Sequence, residues 1–279
     1  MTICIATMCE NGTIVVVASD KMITYTAPPH HQFEHPRSKI YNLTPTAVIM
    51  TAGSALYPSE YMHFIRGKLH TVGGGATIRD IKNAAENAYR EFRARVIEGH
   101  ILSAYGMTWS EYMKLIQEGK LTDLHYRIIS QVESYRLELE VLIAGVDDTG
   151  AHIYQIENPG YASSFDDIGY AAIGSGEYHA IRSFIENNYS VNFPVYRALY
   201  VVYEAKKYAE FAPGVGKKTD IVIVTKEGIK TVSDDLMEAL EEAYNAKIST
   251  INKVLKEDLK DYFENIHKLL DKDLQKEKA

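Results

Sequence analysis

The chain opens with apolar runs in which polar and apolar positions do not alternate. Thr2–Met8 and Thr13–Ala18 are such runs, and the Asn11-Gly12 pair between them is typical of a tight turn. Strands with one solvent-facing side alternate, so these runs predict strands that are covered on both faces. The pattern continues with an irregular Pro- and His-containing segment at Thr26–Pro36 and two further strands at Lys39–Leu43 and Ala47–Ala52.

Helical spacing follows this group of strands. A Gly73–Gly75 break separates the first two predicted helices, and Thr77 and Asp80 have the spacing of a helix start. Thr108 and Glu111 repeat that spacing at the start of a shorter helix. The predicted helices are Pro58–Leu69, Thr77 to about Glu98, one from Thr108, and Thr122 to about Tyr135.

Strands and helices then return before a long charged tail. Strands are predicted at Leu137–Val146, Ala151–Glu157, Ile168–Ile173, Asp220–Thr225 and Ile229–Val232, with helices at Glu177–Asn187 and Pro194–Phe211. From Ser233 onwards, apolar residues recur at helical spacing in one long helix. The stripe comprises Leu236, Leu240, Ile248, Ile251, Leu255, Leu259, Phe263, Ile266 and Leu270. Such a stripe is expected to pack on its own domain or on another chain.

This order of elements predicts an α+β fold of layered type. Strands that are apolar on both faces need cover on both sides, and two packed sheets with helices outside provide it. A doubly wound parallel sheet would alternate strand and helix one by one, and this chain does not. We expect one domain over residues 1–232, with a helical insertion at about 73–136, and a helical extension over 233–279.

Composition narrows the class of protein. Apolar residues make up 46% and charged residues 24% of 279 residues, a globular balance, and the net charge is −7. An acidic chain argues against a nucleic-acid partner. No apolar run reaches the roughly 18–20 residues of a membrane span, and no signal peptide is visible, so we expect no membrane partner. Cys4 and Cys9 are the two cysteines, which is compatible with a reducing cytoplasm.

The start of the chain offers a nucleophile. Removal of Met1 would leave Thr2 with a free α-amine beside its hydroxyl. A threonine hydroxyl is weak alone, but an α-amine with a pKa of roughly 7.7–8.0 can accept its proton. Many proteins begin Met-Thr, so this feature alone does not indicate a catalytic site. Catalysis would also need a cation near the amine, a carboxylate to hold that cation, and hydrogen-bond donors for an oxyanion. Asp20, Lys39, Gly53 and Ser175 lie at predicted strand ends, where ordinary ion pairs and turns are the alternative interpretation.

Short motifs in a fixed order make the chain resemble a proteasome β-type subunit, or the related peptidase subunit of the bacterial ATP-dependent two-component protease. The resemblance covers about residues 2–66 and 137–232. The motifs are Thr2-Ile-Cys-Ile, Val17-Ala-Ser-Asp20-Lys21, Lys39-Ile-Tyr-Asn-Leu43, Ala52-Gly53-Ser54, Ala144-Gly-Val-Asp147, Gly174-Ser175-Gly176 and Lys226-Glu-Gly228.

The resemblance implies a role for each matching residue. Thr2 would be the nucleophile, with its own amine as the base. Lys39 would lower the pKa of that amine, and Asp20 would pair with Lys39. The Gly53 N–H would donate to the oxyanion, and Ser175 would hold the Thr2 amine. Thr51 and Ala55 would form the wall of a moderately roomy substrate pocket.

The resemblance also implies fold, activity and assembly. We expect a four-layer αββα sandwich of the N-terminal-nucleophile hydrolase type, with an enlarged helical insertion and a long C-terminal helix. The expected activity is that of a threonine peptidase that cleaves peptide amide bonds inside a homo-oligomeric ring. Peptides or unfolded polypeptides would be the substrates, and an ATPase or regulatory protein is a possible partner. No metal or organic cofactor is expected, and the location would be cytoplasmic.

Two other functions remain open. A non-catalytic ring or scaffold subunit is favoured if Met1 stays in place, and by the segment Glu210–Gly214, where Glu210 could replace a family Asp but Pro213 cannot replace a Ser hydroxyl. A hydrolase of small amides on the same fold is the other alternative. His30, His31, Glu34 and His35 carry enough donors for a zinc or nickel ion, but without a fixed spacing they favour a solvated loop.

Overall fold

The computed structural model describes residues 2–25, 31–72, 75–119, 121–257 and 259–276. It divides into two compact units, Met1–Val232 and Ser233–Ala279. Judged over the described residues, every helix is too short or too polar to traverse a bilayer.

The first unit contains both strands and helices. Its described strands are β1 (Cys4–Cys9), β2 (Ile14–Asp20), β3 (Met22–Tyr25), β4 (His31–Glu34), β5 (Ile40–Thr44), β6 (Ala47–Gly53), β7 (Leu139–Asp147), β8 (Gly150–Glu157), β9 (Tyr161–Ser164), β10 (Tyr170–Ile173), β11 (Thr219–Thr225) and β12 (Gly228–Thr231). Its described helices are α1 (Tyr57–Val72), α2 (Ile78–His100), α3 (Trp109–Glu118), α4 (Asp123–Ser134), α5 (Glu177–Glu186) and α6 (Val195–Ala209), with a 3₁₀ turn at Leu102–Tyr105.

The two helix starts that the sequence marks are both capping boxes. The Thr77 hydroxyl accepts the Asp80 N–H, and the Asp80 carboxylate accepts the Thr77 N–H at 3.0 Å. Thr108 and Glu111 make the same reciprocal pair at the start of α3. Each pair satisfies backbone N–H groups that a helix start otherwise leaves without partners. Both predicted helix starts are confirmed.

The strands form two five-stranded sheets and one hairpin. One sheet has the order β10-β1-β2-β11-β12, the other has the order β5-β6-β7-β8-β9, and β3 pairs with β4. Every strand pair is antiparallel. The predicted mixed α+β class is therefore confirmed, and the sheets are antiparallel rather than doubly wound.

Both faces of the central strands are buried, as their lack of alternation predicts. Alternate residues of β6 point in opposite directions. Val48 and Met50 belong to one apolar cluster with β1 and β2 residues such as Ala6 and Val17. Ala47 and Ile49 belong to a second cluster with residues of α1 and α2. The helices α5 and α6 pack on the first sheet, where α6 contacts β1 and β2.

The structure corrects several predictions. The segment Thr26–Pro36 is not wholly irregular, because His31–Glu34 is a strand that pairs with Met22–Tyr25; residues 26–30 lie outside the described part. The strand Tyr161–Ser164 is too short and too polar to have been predicted. Cys4, in the first strand, is predicted to be buried, and Cys9, beside a turn, is predicted to be exposed; the structure buries both completely. Residues 73 and 74 of the predicted glycine break also lie outside the described part.

The second unit contains two helices instead of the single predicted one. They are α7 (Asp234–Lys256) and α8 (Lys260–Lys276), and the Ser233 hydroxyl caps the first by accepting the Leu236 N–H. Leu240 is buried, but most of the predicted apolar stripe is exposed: Leu236, Ile251, Leu255, Phe263, Ile266 and Leu270.

Candidate active site

The register of the first sheet determines the surroundings of Thr2. Cys4 lies opposite Ile173 on β10 and opposite Ser19 on β2. Two residues earlier along the chain, Thr2 therefore lies beside the turn after β10 and beside the end of β2. Ser175 occupies that turn and Asp20 ends β2, so residues that are far apart in sequence meet at this edge.

The second sheet supplies the cation. Ile40 pairs with Met50, which brings Lys39, the residue before β5, to the end of β6. The Lys39 Nζ lies 2.5 Å from Thr2 Oγ1 and 2.7 Å from Asp20 Oδ1. Thr2 and Asp20 are almost completely buried, with 5% and 0% of their surface exposed. A charged ammonium that donates to both oxygens stabilises negative charge on either one.

Asp20 is also held by the backbone. Its Oδ1 accepts the Ile3 N–H at 3.0 Å, and its Oδ2 accepts the Met22 and Gly216 N–H groups at 3.0 and 2.9 Å. Together with Lys39, these donors satisfy the buried carboxylate, which would otherwise be costly to bury. The carboxylate therefore has a fixed position from which to hold Lys39.

Ser175 lies at the backbone of Thr2. The Thr2 N–H donates to Ser175 Oγ at 3.3 Å, and the Gly176 N–H donates to the Thr2 carbonyl at 3.4 Å. The Ser175 hydroxyl lies 3.4 Å from the carbonyl oxygens of both Thr2 and Pro213. Pro213, which lacks a side-chain hydroxyl, thus contributes its backbone carbonyl to the surroundings of Thr2.

Gly53 ends β6 in a conformation that favours glycine. Its φ is +113°, and a Cβ built there would lie 2.2 Å from the Glu138 carbonyl oxygen. An L-residue at this position would therefore have to displace backbone atoms of the neighbouring strand. Gly53 lines both cavities that adjoin Thr2, described below.

Replacing Gly53 with alanine is expected to destabilise the fold by about 1–3 kcal/mol, because the added methyl group forces a strained backbone. Thermal unfolding measures this loss. Gly99→Ala is the matched control, since Gly99 lies in α2 with open space around its Cβ position. It should stabilise α2 by up to about 1 kcal/mol. Equal unfolding temperatures for the two variants would contradict the assignment of strain to Gly53.

Two cavities adjoin Thr2, one on each side. The Lys39-side pocket has a volume of about 240 Å³ and is lined by Thr2, Gly53 and, among others, Lys21, His35, Arg37, Lys39, Thr51 and Ala55. The Ser175-side cleft has a volume of about 860 Å³ and is lined by Thr2, Gly53 and, among others, Arg136, Glu138, Glu140, Glu157, Glu177 and Tyr178. A bound molecule can therefore extend from Thr2 in two directions.

Cys4 lies near these groups but is not suited to be a nucleophile. Burial raises the pKa of the Cys4 thiol to about 12, although the nearby Lys39 opposes the shift. The thiolate is the reactive form of cysteine, so Cys4 is almost fully protonated at neutral pH. Its Sγ lies 3.7 Å from the Thr51 carbonyl oxygen, which fits a packing role.

Sequence reasoning missed how the segment after α6 is held. The Glu210 carboxylate, which could replace a family Asp, pairs with Lys206 at 2.6 Å and with Lys207 at 3.3 Å. The buried Lys206 also donates to the Lys217 carbonyl at 2.5 Å, next to the Gly216 N–H that contacts Asp20. Burial lowers the pKa of Lys206, and the pairing with Glu210 opposes that shift. The spacing of four residues between Lys206 and Glu210, which suits an ion pair on a helix, is the signal in the sequence that points to this contact.

The histidine-containing segment has other contacts. Glu34 accepts the N–H groups of Lys217 and Lys218 at 2.9 and 3.0 Å, and the His35 Nδ1 accepts the Arg37 N–H at 3.0 Å. His30 lies outside the described residues. Within the described residues, no group of three or more His, Cys, Asp or Glu side chains is placed to hold a metal ion.

Comparison with known proteins gives one family. The model of the proteasome subunit family matches residues 100–224. The resemblance to proteasome subunits is confirmed. The match covers less than half of the 279 residues, and it includes Ser175 but not Thr2, Asp20, Lys39 or Gly53. A search of curated proteins found no significant match to this proteasome-like chain.

Proposed function

We propose that the chain is an N-terminal-nucleophile hydrolase that cleaves peptide amide bonds with Thr2. The observation that carries the proposal is the position of Lys39, whose ammonium contacts both the Thr2 hydroxyl and the buried Asp20 carboxylate. A purely structural ion pair between strand ends would have no need to include a threonine hydroxyl at the start of the chain. This contact favours a catalytic subunit over a scaffold.

The proposed reaction begins once Met1 is removed. The Thr2 Oγ attacks the amide carbonyl while the Thr2 amine takes the hydroxyl proton, and Lys39 stabilises the developing charge on Oγ. The Gly53 N–H donates to the oxyanion. The C–N bond breaks, the amine product leaves with the proton, and the acyl group remains as an ester on Thr2. Water then hydrolyses the ester and restores the hydroxyl.

The fold and assembly belong to the same proposal. Two antiparallel sheets share one apolar cluster, and each has helices on its other face, which supports a four-layer αββα arrangement of this hydrolase class. A homo-oligomeric ring, a cytoplasmic location and peptide or unfolded polypeptide substrates are the remaining parts, together with an ATPase or regulatory partner. Each of these follows from the resemblance to proteasome subunits.

The proposal is tested by the intact mass of the purified protein before and after incubation with a threonine-directed β-lactone. We expect loss of the Met1 mass and one adduct per chain, because ring opening of the lactone acylates the Thr2 hydroxyl. The adduct should be absent from Thr2→Ala and present in Thr7→Ala, which removes a buried hydroxyl elsewhere on the first sheet. Retention of Met1 without an adduct would instead favour the scaffold subunit.

Thr51 is expected to limit the size of the bound side chain. It is buried and lines the Lys39-side pocket, so Thr51→Met fills part of that space. Turnover of a peptide with a large residue at the cleavage site should fall by about tenfold relative to one with alanine, in line with the cost of lost pocket space. Competing hydrolysis of the two peptides measures the ratio. An unchanged ratio would contradict the assignment of Thr51 to the pocket wall.

A further inference from the structure

Lys206 is a lysine whose side chain is completely buried. It lies in the last turn of α6 and has none of its surface exposed. Its ammonium donates to the Glu210 carboxylate at 2.6 Å and to the Lys217 carbonyl at 2.5 Å. Lysines are almost never fully buried unless they are paired, because removing an ammonium from water is costly. The contacts of Lys206 show what this buried charge holds in place.

Stabilising α6 does not by itself require a buried lysine. A cation in the last turn of a helix is favoured by the helix dipole, and an ion pair between residues four apart also stabilises a helix. Both effects operate at exposed positions, such as that of Lys253, which pairs with Glu257 at the end of α7. Replacing a buried ion pair with apolar residues is often neutral or stabilising. The burial of Lys206 therefore indicates a task beyond the stability of α6.

The Lys206 ammonium binds a short segment that leads into β11. We call residues 216–218 the Gly216 segment. Lys206 binds the carbonyl oxygen of Lys217, while the Glu34 carboxylate accepts the N–H groups of Lys217 and Lys218 at 2.9 and 3.0 Å. Polar contacts from α6 and from β4 thus fix the path of this backbone.

The Gly216 segment lies against the end of β2. The Gly216 N–H donates to Asp20 Oδ2 at 2.9 Å, and Thr219, the residue after the segment, pairs with Asp20 in the first sheet. A Cβ built at Gly216 would lie 2.9 Å from the Met22 Cβ, which leaves no space for a side chain. A shift of the Lys217 carbonyl would therefore move the Gly216 N–H relative to the Asp20 carboxylate.

Asp20 connects the Gly216 segment to the nucleophile. Its Oδ1 accepts the Lys39 ammonium at 2.7 Å, and the same ammonium lies 2.5 Å from Thr2 Oγ1. A displacement of about 1 Å in a reacting group can cost roughly 10²-fold in rate. The contacts therefore lead from α6 to the Thr2 hydroxyl through the backbone of the Gly216 segment and two charged side chains.

The charge of Lys206 also acts on Asp20. Burial lowers the pKa of Lys206, the pair with Glu210 opposes that shift, and the Asp20 carboxylate acts in the same direction as Glu210. An attraction between two charges stabilises both ionised forms. A charged Lys206 therefore helps to keep Asp20 ionised, and the ionised carboxylate is the form that pairs with Lys39.

We propose that Lys206 is a positioning residue for the reaction of Thr2 and acts through the Gly216 segment. By binding that segment, its ammonium keeps the Gly216 N–H on the Asp20 carboxylate, which in turn holds Lys39. The inference deepens the proposed hydrolase function and rests on it for the chemical step. Lys206 acts through these other groups and takes no part in bond breaking.

Hydrogen exchange tests the positioning without any reaction of Thr2. Lys206→Met keeps an apolar stem in the same space and removes the ammonium. We expect the Gly216 amide to exchange about tenfold faster in this variant, because its bond to Asp20 is held less firmly. The amide of Ile143, buried in the middle of β7, reports any loss of global stability. The ratio of the two exchange rates, measured by mass spectrometry, gives the local effect.

The rate of β-lactone labelling measures the consequence for Thr2. Lys206→Met should label about tenfold more slowly than the unsubstituted protein at neutral pH. A cation near an amine lowers the pKa of that amine, so a less firmly held Lys39 lets the pKa of the Thr2 amine rise. The pH midpoint of labelling should therefore increase by about one. A loss of stability alone would leave this midpoint unchanged.

Three further variants assign the effect to Lys206. Lys207→Met is the matched control, since Lys207 pairs with the same Glu210 at 3.3 Å but is 23% exposed. Its exchange ratio and labelling rate should stay within about twofold of the unsubstituted protein. Lys206→Arg keeps a charged donor and should restore most of the labelling rate and the pH midpoint. Lys206→Gln, whose neutral amide is shorter, makes the same comparison as Lys206→Met if the methionine variant does not fold.

The outcomes separate this inference from the proposed function. An unchanged exchange ratio in Lys206→Met overturns the inference even if the β-lactone labels Thr2. Faster exchange with unchanged labelling, or equal effects of Lys206→Met and Lys207→Met, also overturns it. If the unsubstituted protein is not labelled, the hydrolase proposal fails, while a raised exchange ratio in Lys206→Met still supports the positioning of the Gly216 segment by Lys206.

Discussion

Lys39→Met is expected to slow the acylation of Thr2 by about 10²–10⁴-fold, the contribution typical of a group that assists proton transfer or stabilises the reacting oxygen. The ammonium lies 2.5 Å from Thr2 Oγ1, and methionine places an apolar methyl group there instead. Without the cation, the Thr2 oxygen faces the Asp20 carboxylate, which opposes negative charge on Oγ. The rate of β-lactone adduct formation, followed by intact mass, measures the effect directly.

Two further variants separate this chemistry from loss of folding. Lys114→Met removes a lysine from the exposed surface of α3, where the Lys114 Nζ lies 3.8 Å from the Glu118 carboxylate. The β-lactone should label this variant at the same rate as the unsubstituted protein. Lys39→Arg keeps a charge for Asp20 but cannot place a single nitrogen where the ammonium lies, so it should fold and still label slowly. Labelling of folded Lys39→Met at the unmodified rate would reduce the Asp20–Lys39 pair to a structural role.

Asp20→Ala is expected to lower the free energy of unfolding by about 3–5 kcal/mol, the usual cost of breaking a buried ion pair from one side. The substitution leaves Lys39 without its carboxylate and removes the acceptor of three backbone N–H groups, those of Ile3, Met22 and Gly216. Buried donors without partners carry their full desolvation cost. The urea concentration at the midpoint of unfolding measures the loss.

A surface carboxylate provides the comparison for Asp20. Asp148 is fully exposed and pairs with Lys226 at 3.5 Å, so Asp148→Ala should change the free energy of unfolding by less than about 0.5 kcal/mol. Similar midpoints for Asp20→Ala and Asp148→Ala would show that the buried contacts of Asp20 contribute little. Asp20→Ala should also lose labelling of Thr2, because Lys39 is no longer held.

Much of the fold was predictable because burial leaves a regular trace in the sequence. Unbroken apolar runs such as Thr13–Ala18 indicate strands that are buried on both faces between layers. Capping residues such as Thr77 mark where a helix begins. The strand His31–Glu34 was not predictable, since its four residues are mostly polar and pair only with a neighbouring short strand. The break between α7 and α8 also lacks a proline or glycine to mark it.

The sequence predicts which residues form the candidate site, and the structure adds the distances and backbone contacts between them. Thr2, Asp20, Lys39, Gly53 and Ser175 were chosen from strand ends and from the resemblance to proteasome subunits, and the structure brings them together. Backbone contributions leave no mark in the residue types, so the Gly216 N–H and the Pro213 carbonyl were missed. The shapes of the two cavities that adjoin Thr2 arise from tertiary packing, which short motifs do not encode.

The contacts of Asp20 determine when, during synthesis, the site can exist. Chains emerge from the ribosome starting at the N-terminus, so Thr2, Asp20 and Lys39 are outside long before the segment that carries Gly216. Until that segment docks, the Asp20 carboxylate lacks one of its three backbone donors, and until the turn after β10 docks, Thr2 lacks Ser175 at its backbone. A nascent or truncated chain that ends before α6 therefore holds Thr2, Asp20 and Lys39 without the Gly216 donor to Asp20. If Thr2 is the nucleophile proposed above, the complete site can form only after both Ser175 and Gly216 have been synthesised.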